Sequence, residues 1–96
     1  MNVLMIENSK EKLEKTATEL LNRLNRLIEK GQIFTPDGHR IADSLSYLIS
    51  WEIHQIKTEN GLKTILERLT AFEKEIDVLL QNKMNFESDK RTHTDW

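Results

Sequence analysis

Apolar residues in this chain return at intervals of four and three. From Ser9 they fall at Leu13, Ala17, Leu20, Leu24 and Leu27, and later at Leu62, Ile65, Leu69, Phe72, Ile76 and Leu79. Such spacing keeps side chains on one side of a helix with 3.6 residues per turn, whereas a half-buried strand would alternate every second residue. Leu21 and Ile28 widen the first stripe, and Leu66 and Leu80 the last. Gly occurs three times and Pro once in 96 residues, a scarcity that argues against a loop-rich or all-β fold.

The punctuation between the stripes sets the expected boundaries. A first helix is expected over 9–30, with Asn8 or Ser9 capping it, Glu11 and Glu14 at its positive end and Gly31 ending it in the left-handed conformation. In FTPDGH, Thr35 is the N-cap candidate, Pro36 suits the first helical position and Asp37 complements the helix dipole, so a second helix is expected over 36–57. The link 31–35 is short, which folds the second helix back on the first with Ile33 and Phe34 plugging that end. TENG at 58–61 reads as a stop and a turn before a third helix over 62–83, the competing reading being one helix continuing through Gly61. The expected architecture is an all-α, up-down-up three-helix bundle in a single domain, residues 1–86, with dimerisation as one way to complete its core. Residues 87–96, ESDKRTHTDW, read as a flexible polar tail whose Trp96 either docks on the bundle or a partner, or has no role.

Composition narrows the functions available. A domain this small buries only about 60% of its unfolded surface, which leaves little room for an enclosed active site. Charged residues make up 31% with a net charge of −2, both signs interspersed, so no overall field draws in nucleic acid or an acidic membrane. Cysteine is absent, which removes disulfides and thiolate chemistry and suits a cytoplasmic setting. The opening MNVLMIENSK has neither the basic leader nor the apolar length of a signal peptide or membrane span.

The second helix contains SLSYLISWEIHQI at 44–56, which is too apolar for one stripe. On a wheel of about 100° per residue, its leucines, isoleucines and aromatics spread over roughly 240° instead of the usual 100° or so. Two neighbouring helices can cover most of that arc. Tyr47 and Trp51 lie where the cover thins, so either they flank the core with their polar tips in water, or they anchor a partner. The partner-binding set is then Tyr47, Trp51 and His54 on one strip, with Arg40 and Asp43 setting orientation. Glu52 falls inside the apolar arc and needs a counter-charge or an opening to water; Lys15 and Arg68 are the candidates, forming a polar layer that fixes register.

Catalytic and metal signatures are lacking. His39, His54 and His93 are not spaced to share a metal, the local group Asp37, His39 and Asp43 resembles capping and solvated side chains, and no phosphate loop or nucleophile elbow occurs. Neither enzyme activity nor a cofactor, metal or small-molecule substrate is expected. Arg23, Arg26 and Lys30 make a partly basic strip on the first helix, which supports an alternative role as a nucleic-acid-binding regulator. Glu19 interrupts that strip, and pairs such as Glu11–Lys15 and Glu19–Arg23 would make it an ordinary solvated face. The favoured expectation is a non-enzymatic regulator, inhibitor or adaptor that binds another protein, or a second copy of itself, through the second helix.

Overall fold

Periodicity extends further toward the N-terminus than the capping signals suggest. Ile6 stands seven residues before Leu13, on the same stripe, and is buried with it. The computed structural model describes the backbone of residues 3–94 and the side chains of 5–82, and its first helix, α1, spans Val3–Glu29. Asn8 and Ser9 are therefore interior positions and do not cap the helix. The far end behaves as expected: Gly31 has φ 68°, its N–H donates to the Ile28 carbonyl at 3.0 Å, and the Gln32 N–H donates to Leu27 at 2.9 Å. This paired closure satisfies carbonyls that the last turn would otherwise leave open.

The second helix, α2 (Thr35–Tyr47), continues through a π-helical segment, Leu48–Glu52, and a 3₁₀ turn, Ile53–Gln55. Thr35 is not its N-cap: Phe34 holds that position in extended geometry, without a side-chain cap, and its carbonyl accepts from the Gly38 N–H at 3.0 Å. Ile33 is buried and plugs this end, while Phe34 is 45% exposed and does not. Gly38 is buried, and a Cβ there would come within 2.6 Å of the Ile28 Cγ1, so the missing side chain is what lets α2 start so close to α1.

The break between the second and third helices lies earlier than TENG. Ile56 is extended at φ −68°, ψ 126°, and α3 begins at Glu59. Thr58 caps it: its Oγ1 accepts from the Gly61 N–H at 3.1 Å, and its carbonyl accepts from the Leu62 N–H at 3.2 Å. Gly61 thus belongs to the first turn of α3, and the turn proper is only residues 56–58. Replacing Thr58 with Ala is expected to cost about 1 kcal/mol, the usual value of a hydroxyl N-cap, read as a lower urea midpoint at unchanged slope.

α3 spans Glu59–Thr94, past the end expected near Lys83. The sequence after Gly61 contains no Gly or Pro to stop it. At 1.5 Å per residue, α3 is about 54 Å long, which accounts for most of the 65 Å long axis of a body 20 Å and 15 Å across. Trp96 lies outside the described residues.

The fold is all-α, with three helices and no strand among the described residues. The core is a single cluster in which Leu24, Ile41, Leu45, Leu48 and Ile76 are wholly enclosed. The third stripe is narrower than expected: Phe72, Leu79 and Leu80 are half-buried and Leu66 is 53% exposed. No polar or charged side chain is fully buried among the described residues. No described helix is long and apolar enough to cross a membrane.

Candidate functional site

The buried apolar side chains of the second helix and of its C-cap are Ile41, Leu45, Leu48, Ile53 and Ile56, at intervals of four, three, five and three. An interval of five would swing the chain out of an α-helical stripe. The π segment removes that conflict, since its i to i+5 bonding takes one extra residue into a single turn; the Ile53 N–H donates to the Leu48 carbonyl across it. The apolar arc that looked about 240° wide on an α-helical wheel is thereby drawn back toward one side.

An added residue in a turn leaves backbone groups out of phase. Ser50 answers this with its side chain, donating from Oγ to the Ser46 carbonyl at 2.8 Å and to the Tyr47 carbonyl at 3.4 Å. Tyr47 precedes this braced turn and Trp51 lies within it, 56% and 54% exposed. Both stand outside the core that Leu48 and Ile53 fill, and His54 and Asp43 are exposed on the same helix. Tyr47, Trp51, His54 and Asp43 are thus all exposed on the second helix.

Its border with α3 is charged. Arg40 is hydrogen-bonded and ion-paired to Glu75, and acceptance by that carboxylate, then its charge, pushes the guanidinium further above its ordinary pKa. Arg40 is thus a cation already committed within the molecule. Glu52 is half-buried and takes its counter-charge from Arg68 across the same border. Lys15, the other candidate partner, is exposed and makes no ion pair among the described residues. Arg68 also lies over the Phe72 ring, 5.9 Å from its centroid, an arrangement that attracts the guanidinium to the ring face.

One positioning residue escaped sequence reasoning. Lys10 of α1 donates to the His54 carbonyl at 3.3 Å, supplying a cation to the negative end of the second helix beside Trp51. No spacing rule could have found it, since the contact joins residues 44 apart in the chain.

The alternative basic strip is partly spent. Arg23 reaches Asp77 of α3 at 3.4 Å instead of pairing with Glu19, and Glu11–Lys15 is not formed either. Arg26 and Lys30 remain exposed. Asp37, His39 and Asp43 do not converge: among the described residues no three His, Asp or Glu side chains come together as a metal site. Comparison with family models, with curated proteins and with solved structures gives no match for this chain.

Proposed function

We propose that this protein is a non-enzymatic binding module, a regulator, inhibitor or adaptor, that works by occupancy through Tyr47 and Trp51. The observation that carries the reading is that two large aromatics are more than half exposed on a helix whose buried side is already filled. Aromatic side chains of this kind are the residues on which binding energy concentrates, because they bury much area at little entropic cost. Asp43 and His54 flank them and supply orientation, while Arg40 acts through its pair with Glu75.

The reading includes an up-down-up course for the three helices. Short turns at 31–34 and 56–58, the Lys10 contact to the end of the second helix and the Arg23–Asp77 pair all support it. It also includes self-association, for which a second copy of the aromatic strip is the simplest complementary surface. Nucleic-acid binding by Arg23, Arg26 and Lys30 is the weaker reading, since Arg23 is engaged by Asp77.

Trp51→Ala is expected to lower the mass measured by light scattering, or to abolish capture of the partner, while the helical circular-dichroism signal stays within a few per cent of the parent. Loss of the helical signal would return Trp51 to the core and end this proposal.

A further inference from the structure

A second surface shares no lining residue with the aromatic strip. Between the early part of α1 and the start of α3 runs an open cleft of about 630 Å³, with Leu13, Leu62 and Leu66 as its apolar lining. Leu13 and Leu62 are buried in the core beneath, but Leu66 is 53% exposed. Leu66 therefore offers an apolar surface at the mouth of a cleft whose floor is already apolar. Neither Tyr47 nor Trp51 touches this cleft.

Its dimensions suit a helix. The lining reaches from Ser9 to Thr16 on α1 and from Glu59 to Leu66 on α3, a span of about 10 Å along each wall at the helical rise. Anchors at i, i+4 and i+7 on a docking helix span the same distance, and two adjacent helices offer such a helix a groove.

Its charge selects which helix. Lys12 stands on one wall and Lys63 on the other, and neither makes an ion pair among the described residues. Glu59 is the one carboxylate in the lining, so two cations face one anion in a chain whose overall charge is −2. The polar remainder, Ser9, Thr16 and Asn60, is neutral.

We infer that the α1/α3 cleft is a docking site for an acidic amphipathic helix of another protein, its apolar anchors over Leu66 and its carboxylates against Lys12 and Lys63. The protein then carries two contact surfaces that share no residue.

The test uses the full chain and two labelled peptides of about 16 residues, long enough to become helical when bound. Both carry leucines at i, i+4 and i+7; one is flanked by glutamates, the other by lysines. In fluorescence anisotropy the glutamate peptide should bind at least about tenfold tighter than its twin, with the preference shrinking as salt rises. Lys12→Glu with Lys63→Glu should reverse that order, Leu66→Glu should abolish binding, and Trp51→Ala should leave it unchanged. The lysine variants change only exposed side chains, so they report even if Leu66→Glu fails to fold. Equal binding of the two peptides, or no effect of the lysine reversals, overturns the assignment. A dimeric mass that Leu66→Glu converts to monomer also overturns it, giving the cleft to a second copy.

Discussion

Deleting Ser50 is expected to leave the protein folded, and deleting Ser44 to unfold it or nearly so. Both serines lie in the second helix outside the core, and by composition the two deletions are the same. Removing Ser50 shortens the five-residue step between Leu48 and Ile53 to four, so the buried positions follow intervals of four, three, four and three that an ordinary α-helix satisfies. The π turn becomes unnecessary, and Ile53 and Ile56 keep their places. Removing Ser44 shortens the step between Ile41 and Leu45, and everything on one side of the deletion turns by about 100° relative to the other. Leu45 and Leu48, both wholly enclosed, then point away from the core or carry Ile41 away with them. The expected loss is more than about 3 kcal/mol, the order of exposing two core side chains. Urea denaturation followed by far-ultraviolet circular dichroism separates the outcomes. Equal damage from both deletions would show that the π turn does not set the phase of this helix.

A second large effect is expected at Leu24. Ala there should lower stability by about 2–5 kcal/mol, through lost transfer energy and the cavity left in a cluster that encloses the side chain completely. Domains of this length have roughly 5–14 kcal/mol in total, so the variant would forfeit a large share and melt roughly 10–30 °C lower. Leu66→Ala is the matched control, the same change on a residue 53% exposed, and should cost no more than about half a kcal/mol. Calorimetric melting of the pair gives the comparison directly. Similar losses for both would mean that the cleft beside Leu66 is closed in solution.

The contrast between those two leucines shows where sequence reasoning reached and where it stopped. Intervals of four and three identify the helical class and the faces of α1 and α3, because periodicity is a local consequence of backbone geometry. Gly31 was readable for the same reason: only its left-handed φ lets the chain close α1 as it does. Leu66 was not, since a stripe gives direction but not the distance to the neighbouring helix. Cap assignments shifted where a choice of adjacent residues existed, Thr35 yielding to Phe34, and TENG yielding its last three residues to α3 under the Thr58 cap.

The aromatic strip was legible and the reason for its shape was not. On an α-helical wheel the width of the SLSYLISWEIHQI arc reads as surface to be covered, whereas the five-residue interval within it accompanies a change of helical pitch. From the sequence Glu52 needs either a cation or an opening to water; it is half-buried and paired with Arg68, and choosing Arg68 over Lys15 requires knowing which helix faces it. Long-range contacts such as Lys10 to His54 carry no sequence periodicity at all.

The length of α3 bears on how this protein travels through a solvent. A compact chain of about 100 residues has a radius of gyration near 13 Å, and this one has 16.9 Å with its long axis more than three times either short axis. A rod-like particle diffuses more slowly than a sphere of its mass and meets a gel-filtration matrix as a larger object. A single 11.3 kDa chain of this outline therefore elutes early, at a volume that globular standards assign to something heavier. Its hydrodynamic radius imitates an oligomer, so subunit counting has to rest on scattered intensity, which weighs the particle without regard to its outline.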